Sequence, residues 1–306
     1  MKTFALLGSL IYVSAASAQQ AAPPQRPQPI VAWAAQPVEA TPWNAPNKPH
    51  WKLSEVLSKH SGQRSWQENI VSDRDFVARY ISMAPGEKTQ TRFFADDRVF
   101  WIVQSGRMRV NIDGQPPFEA TAGFLVQVPY RTSYSIESLG SEPSLRFEVL
   151  GAQAVPLYPI SETPPALAGK RYVKVSYTGR GAYDEVNKPF LDFNKDVIAA
   201  NGRGGPFVKD DKTFANVIRG PGQPPPPSTN LGHFHVGYSE FWLVLEGKID
   251  YLIEGVPFFT AEKGDVVYAP QGRWHRASFG GTGMATRLAI NPRPDGMHNF
   301  QPPQNE

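Results

Sequence analysis

Residues 232–247 read GHFHVGYSEFWLVLEG, and residues 91–106 read TRFFADDRVFWIVQSG. These stretches open two longer segments, 91–135 and 232–276, which align at a constant offset of 141 positions without a gap. The identical pairs are Phe93/Phe234, Phe100/Phe241, Trp101/Trp242, Val103/Val244, Gly106/Gly247, Ile112/Ile253, Gly114/Gly255, Pro116/Pro257, Phe118/Phe259, Ala120/Ala261, Gly123/Gly264, Val126/Val267 and Pro129/Pro270. Glycines and prolines coincide where turns are expected, and apolar residues coincide between them. The pattern predicts an internal duplication.

Each copy has the pattern of short β-strands. Residues 106–114, GRMRVNIDG, alternate polar and apolar side chains between two glycines, and residues 247–255, GKIDYLIEG, begin in the same way. Prolines account for 30 of the 306 residues and favour turns and extended segments over long helices. Residues 53–60 give the only convincing helical pattern in the first half. We therefore expect an all-β fold of two tandem antiparallel barrels with few short helices.

The second copy carries four side chains of metal-binding type. His233 and His235 stand two positions apart on a predicted strand, so that their side chains share a face. Glu240 follows after a short turn, and the turn 270–275, PQGRWH, returns His275 from another strand. Three imidazoles and a carboxylate that converge inside a barrel predict one divalent transition metal per chain, with positions left for water or substrate. The sequence does not choose among Fe, Mn, Cu, Ni and Zn, and it identifies no catalytic side chain.

Three further residues are candidates for a substrate pocket. Trp242 and Val244 share strand parity with Glu240, and Tyr251 faces inward by the alternation around it. The same positions also suit ordinary core packing, since the interior of a small barrel is filled by side chains. Tyr251 either donates a hydrogen bond to a metal-bound ligand or simply fills the barrel. The three histidines outside the repeat, His50, His60 and His298, are expected at the surface.

With these motifs, the sequence resembles the cupin superfamily, and specifically a secreted bicupin, over residues 76–150 and 214–291. The resemblance implies two double-stranded β-helix (jelly-roll) barrels and makes His233, His235, Glu240 and His275 the metal ligands. There are two departures from the family pattern. Pro227 stands where the first motif usually has a glycine, and Phe279 stands where the second usually ends in asparagine.

The first copy has lost the ligand set. The four ligand positions correspond there to Arg92, Phe94, Val99 and Tyr134. Two interpretations stay open for this copy. It is either a structural partner of the second barrel, or a metal-free pocket in which Arg92 and Tyr134 receive an anionic group.

Composition shifts divide the chain into six segments. Residues 1–18 combine a charged start, a short apolar stretch and Ala16-Ser17-Ala18, which predicts a secretory signal peptide cleaved near Ala18. The segments that follow are a Pro-rich arm (19–50), the first barrel (51–150), a Pro-rich linker (151–190), the second barrel (191–293) and a tail (294–306). A further Pro-rich run, 221–227, borders the ligand strand and is either a wall of the barrel mouth or a rigid connection. We expect a secreted or periplasmic protein.

Charge and cysteine content exclude several classes of function. The formal net charge of +3 falls to +2 when Lys2 is removed with the signal peptide. A charge this small does not indicate a basic surface that binds nucleic acid. No second apolar run is long enough to span a bilayer. The absence of cysteine excludes a disulfide scaffold, a thiolate metal site and a cysteine nucleophile. The expected partner is a small molecule, and self-association is left open.

Three functions are compatible with a His3Glu centre in this family. The first hypothesis is an exported metal-dependent oxidoreductase of dioxygenase type, acting on a small phenolic or carboxylate substrate. The second is a non-catalytic cupin that binds a metal or ligand. The third is an isomerase or lyase acting on a sugar or small acid. An aromatic interior favours the first, although a fold alone does not decide among reactions.

Overall fold

The computed structural model describes residues 30–302. The predicted signal peptide, residues 1–18, and the start of the predicted arm lie outside the described residues. Residues 30–33 form the described end of an N-terminal unit and have no helix or strand; the account below concerns the unit that starts at Ala34. This unit contains a seven-residue α-helix, α1 (Leu53–Lys59), and a seven-residue π-helix, Phe193–Ala199. No helix among the described residues has the length and apolar character needed to cross a membrane.

The predominance of short strands is confirmed in both halves of the described chain. The strands of the first half are β1 His50–Trp51, β2 Trp66–Ser72, β3 Phe76–Met83, β4 Phe93–Phe94, β5 Val99–Ser105, β6 Arg107–Ile112, β7 Phe118–Thr121, β8 Phe124–Val128, β9 Tyr134–Leu139, β10 Ser144–Gly151, β11 Pro156–Leu157 and β12 Phe190–Asp192. Those of the second half are β13 Gly204–Lys209, β14 Phe214–Pro221, β15 His233–Phe234, β16 Glu240–Glu246, β17 Lys248–Ile253, β18 Val256–Glu262, β19 Val266–Ala269, β20 His275–Gly280, β21 Met284–Asn291 and β22 Asn299–Phe300.

The strands form two antiparallel barrels. In the first barrel, a six-stranded sheet with the order β12-β8-β5-β10-β3-β2 faces the smaller sheets β7-β6-β9 and β11-β4. In the second, a six-stranded sheet with the order β1-β19-β16-β21-β14-β13 faces the five-stranded sheet β18-β17-β20-β15-β22. Gly106 and Gly247 have positive φ angles of 76° and 65° at matching turns, after β5 and β16. The two tandem barrels and their duplication are as the sequence predicted.

The two six-stranded sheets pack against each other through their outer faces. Phe76 of the first barrel contacts Phe241 of the second, with ring centroids 5.7 Å apart, and Phe100 and Phe207 lie 6.5 Å apart. Because side chains alternate along a strand, Phe241 faces this shared core while its neighbour Trp242 points into the second barrel. Each barrel also encloses an apolar cluster of its own. Of the metal-binding candidates, Glu240 stands on this packed sheet, whereas His233 and His275 stand on the five-stranded sheet that faces it.

Two short strands extend the sheet of the opposite barrel. β1 pairs with β19 of the second barrel, His50 opposite Val267, although the sequence placed this strand at the border of the arm and the first barrel. β12 pairs with β8 of the first barrel, Phe190 opposite Val126, although the sequence placed it at the border of the linker and the second barrel. Strands of two or three residues are too short for side-chain periodicity to reveal their partners. The helical pattern at residues 53–60, by contrast, matches α1 closely.

Candidate metal centre

Four side chains of metal-binding type converge at one end of the second barrel. His233 begins β15, His235 follows that strand, Glu240 begins β16 and His275 begins β20. Pairing of β15 with β20 sets His233 directly opposite His275. One ligand atom from each of the four side chains lies within 4.8 Å of all the others. No other group of three or more such residues within 30–302 gathers its ligand atoms in this way.

Backbone carbonyls fix the orientation of two of the imidazoles. Nδ1 of His235 lies 3.2 Å from the carbonyl oxygen of Met297, and Nδ1 of His275 lies 2.9 Å from that of Arg273. A carbonyl oxygen only accepts, so each Nδ1 donates its hydrogen and each neutral ring presents a lone pair at Nε2. This carbonyl contact is the partner that a metal-binding histidine usually has on its outer nitrogen.

The atoms that face one another at the centre of the cluster are lone-pair donors. Nε2 of His275 lies 3.1 Å from Nε2 of His233 and 3.3 Å from Oε2 of Glu240. Nε2 of His235 lies 3.0 Å from the same Oε2. In this tautomer, neutral His235 and His275 bring no hydrogen to these contacts, and a cation is the partner that satisfies all four atoms at once. The donor set therefore fits a divalent transition metal.

The electrostatics of the cluster keep its carboxylate ionised. Burial alone would raise the pKa of Glu240, but the surrounding imidazoles of His233, His235 and His275 hold it well below its usual range. Burial lowers the pKa of His233, and the neighbouring imidazoles lower it further despite the opposing effect of Glu240. An ionised carboxylate and neutral imidazoles are the protonation states that bind metals.

A cavity of about 740 Å³ opens from the cluster to the surface. This volume is within the range of small-molecule sites, which is about 300–1,000 Å³. Its lining includes Ile218, Thr229, Asn230, Gly232, His233, Glu240, Trp242, Arg276, Ala277, Arg287, Ala289, His298, Phe300, Gln301 and Pro302. Trp242 forms part of the wall, as the strand parity predicted. Val244 and Tyr251 are inward-facing but lie deeper, in the packed core of the barrel, and do not line the cavity.

The C-terminal segment forms one side of the cavity mouth. β22 pairs with β15, so that Phe300 lies opposite His233 with ring centroids 5.1 Å apart. The ring of His298 lies 4.6 Å from that of His233 and 4.8 Å from that of His235. His298 is exposed at the surface, as expected, but it also stands beside the cluster, which the sequence did not predict. Residues 294–302 have no clear strand pattern that would have indicated this return of the chain.

The other two histidines outside the repeat are also more enclosed than expected. Nε2 of His50 lies 2.8 Å from Oδ2 of Asp265, and both side chains are largely buried. The ring of His60 stacks on Trp66 at a centroid distance of 4.3 Å. Both imidazoles serve packing and local hydrogen bonding, away from the cluster.

Comparison with known proteins places this site in a known fold. The pattern of a family described as a cupin domain matches residues 221–291, which include all four members of the cluster. This match identifies residues 221–291, within the second barrel, as a cupin domain. A comparison with curated protein sequences finds no significant match.

Solved structures of similar fold cover most of this chain. A salicylate 1,2-dioxygenase from Pseudaminobacter salicylatoxidans is 13% identical with a TM-score of 0.59, over 84% of this chain and 86% of its own. A Cupin 2 conserved barrel domain protein from Leptotrichia buccalis is 13% identical with a TM-score of 0.52, over 85% and 100%. An oxalate decarboxylase is 14% identical with a TM-score of 0.50, over 83% and 79%. At this identity, the similarity establishes the fold alone.

The first barrel encloses charged side chains in place of the cluster. The counterparts of the four candidate ligands are Arg92, Phe94, Val99 and Tyr134, as the alignment predicted. Nε of Arg92 donates to the Tyr134 hydroxyl at 3.3 Å. The anion that faces these groups belongs to the chain itself. It is the buried carboxylate of Glu148, which lies 2.6 Å from Arg79, 3.2 Å from Arg146 and 3.9 Å from Arg92.

Two arginines of the cavity were missed by the sequence analysis. Arg276 follows directly after a candidate ligand, and its Nη1 donates to the carbonyl of Pro227 at 2.9 Å, which ties the Pro-rich run to the barrel mouth. Arg287 projects from β21 into the cavity. The available signal was the 141-residue offset, which aligns Arg287 with Arg146 when it is carried beyond the segment of high identity.

Proposed function

We propose that this cupin is an exported metal-dependent oxidoreductase of dioxygenase type that acts on a small phenolic or carboxylate substrate. The observation that carries the proposal is the convergence of three Nε2 atoms and one carboxylate at the inner end of an open cavity. His233, His235, Glu240 and His275 are the proposed ligands. A closed structural site would be shielded from solvent, whereas this cluster adjoins a space large enough for a substrate.

The chain's own residues would bind and enclose the reactants. A bound transition metal would supply Lewis-acid or redox chemistry at the coordination positions that the protein leaves free. The carbonyls of Met297 and Arg273 hold two imidazoles in the ligating tautomer. Trp242, whose ring lies 5.3 Å from that of His275, and Phe300 provide apolar walls that exclude water and suit a planar substrate.

The proposal is tested by metal analysis followed by oxygen-consumption assays. Purified protein should contain one transition metal per chain and should consume oxygen with a member of a panel of phenols and small carboxylic acids. The His275→Ala variant should be inactive in the same assay. Conversion that proceeds equally without oxygen would replace the proposal with a lyase or isomerase, and ligand capture without conversion would replace it with a binding protein.

Export is a separate part of the proposal. It is supported by the charged start, the apolar stretch and the small-residue site of residues 1–18. Expression of the full chain should yield a secreted or periplasmic product whose mass corresponds to a start near Gln19. Retention of the intact chain inside the cell would contradict it.

A further inference from the structure

Arg287 is a partly buried cation that forms no salt bridge with any residue among 30–302. Its side chain lies in the cavity wall with His233 and Glu240. Among residues 30–302, neither Nε nor Nη1 of Arg287 has a hydrogen-bond partner, although both atoms are buried. Glu240 does not serve as that partner, because its carboxylate is engaged by the imidazoles.

In the first barrel, the arginine equivalent to Arg287 has its charge neutralised by a carboxylate. Arg287 lies opposite Val244 across the strand pair β21–β16, and Arg146 lies opposite the matching Val103 across β10–β5. The two arginines therefore occupy equivalent positions. Nε of Arg146 donates to the Glu148 carboxylate at 3.2 Å, whereas Nε of Arg287 is unpaired.

The difference between the barrels comes from one position on the same strand. Glu148 lies opposite Trp101, and its counterpart Ala289 lies opposite Trp242. Residues two apart on a strand share a face, so Ala289 lines the cavity beside Arg287. The methyl group of Ala289 thus stands where the first barrel has the carboxylate of Glu148. The second barrel lacks that negative charge, and the space that a glutamate would fill is part of the cavity.

An unpaired buried cation is costly for a fold. Burial lowers the pKa of Arg287, although a guanidinium stays protonated at any physiological pH. The ring of Phe279, 5.3 Å from the guanidinium carbon, offers a cation–π contact but accepts no hydrogen bond from it. The group that completes this environment is an anion from outside the chain. The first barrel indicates its chemistry, because the atoms that satisfy the equivalent arginine there are those of a carboxylate.

We infer that Arg287 is a specificity-determining residue that binds the carboxylate group of an acidic substrate in the cavity of the second barrel. The inference rests on the proposed function and narrows it: the substrate carries a carboxylate near the metal-binding cluster, and a neutral phenol is a poor substrate. Charged hydrogen bonds of this kind contribute about 1.5–3 kcal/mol, which corresponds to roughly 10- to 100-fold in affinity.

The inference is tested with benzoate and benzamide, two probes of nearly the same shape of which only one is charged. Binding of each probe is measured by calorimetry on the metal-loaded protein, with metal content determined for every variant. Wild-type protein should prefer benzoate at least about tenfold. In Arg287→Met, benzoate affinity should fall about 10- to 100-fold, while benzamide affinity and metal content stay close to wild type. Equal affinity of wild-type protein for both probes, or an undiminished preference in Arg287→Met, would overturn the inference.

A second pair of variants tests the same point without removing the arginine. Ala289→Glu restores the ion pair of the first barrel and should abolish the preference for benzoate. Ala289→Gln fills the same space without the charge and should retain a preference. Loss of the preference in both variants would indicate blocked space and contradict an electrostatic role.

These experiments distinguish failure of the carboxylate-binding inference from failure of the proposed oxidoreductase function. Benzoate preference that depends on Arg287 in a protein without oxygen-dependent turnover would uphold the carboxylate site and reject the oxidoreductase. Thermal unfolding without a probe gives a further check. Arg287→Met should not lower the melting temperature, because the cation that it removes is unpaired. A large drop together with an undiminished benzoate preference would identify the arginine as purely structural.

Discussion

In the first barrel the carboxylate of Glu148 is buried among Arg79, Arg92 and Arg146, whereas the second barrel has Ala289 at the corresponding position and leaves Arg287 unpaired. The first barrel thus satisfies its buried cations with an anion of its own. The second gathers lone-pair donors and a cation around an open cavity. The difference between the two barrels lies in a few inward-facing side chains.

The largest expected effect is the loss of metal from the second barrel. His275→Ala removes one of the four proposed ligands, and metal affinity should fall by at least about 100-fold, since even the loss of a supporting contact costs about 10- to 100-fold. Elemental analysis after dialysis against a chelator measures the effect. His60→Ala, which removes an imidazole far from the cluster, should keep one equivalent per chain. His298 is unsuitable as this control, because it stands beside His233. Full metal retention in His275→Ala would refute the proposed ligand set.

The next effect concerns the charged interior of the first barrel. Glu148→Gln leaves the buried Arg146 and the partly buried Arg79 and Arg92 without their carboxylate, and the free energy of unfolding should fall by about 3–5 kcal/mol. Denaturant titration measures this change, and metal content should be unaffected. Glu119→Gln is the matched control, since Glu119 pairs with Arg107 and Arg109 on the exposed face of the same barrel and should cost less than about 1 kcal/mol. Equal effects would show that Glu148 is not specially important.

Acid should weaken the first barrel through the same carboxylate. Burial alone would raise the pKa of Glu148, but the surrounding arginines lower it from 4.5 to about 2. A carboxyl group whose pKa is depressed on folding stabilises the protein above its unfolded pKa, and this contribution is lost as pH falls toward the folded pKa. Between pH 4.5 and 2, wild-type protein should therefore lose about 3 kcal/mol that Glu148→Gln does not lose. Parallel stability curves for the two proteins over this range would contradict the prediction.

The smallest effect is expected from removal of the metal without mutation. Binding at about 100 times the dissociation constant stabilises a folded protein by about 2.7 kcal/mol. Chelation should therefore lower the melting temperature by several degrees while circular dichroism still reports a folded β-protein, because the apolar clusters of both barrels remain. Readdition of one equivalent of metal should restore the original value. Complete unfolding on chelation would show that the second barrel requires metal to fold.

The sequence predicted the parts of this comparison that depend on periodicity and repeated spacing. The two barrels, the helix at Leu53–Lys59 and the convergence of the four metal-binding side chains agree with the structure. Strand alternation also placed Trp242 correctly on the cavity wall. These features follow from local patterns that can be read directly from a single sequence.

Features that depend on distant contacts were not predicted. His298 and Phe300 come to the cavity through a two-residue strand, which is too short to leave a pattern. Strand alternation does not show how deep a residue lies in a barrel, so the sequence left Val244 and Tyr251 open between pocket and core, and the structure places both in the core. Arg287 lies beyond the segment of high identity, and its lack of a salt bridge among residues 30–302 becomes evident only when the two barrels are compared in register.

The pairing of β1 with β19 and of β12 with β8 limits how the duplicated halves can be reused. If the chain were cut at the linker, each barrel would lose the edge strand that the other half supplies to its sheet. The uncovered sheet edge could then pair with other chains. Gene fusions that join the second barrel to a foreign partner should therefore carry residues 50–51 as a grafted strand. The two barrels are therefore interdependent, and an engineered version should keep them together.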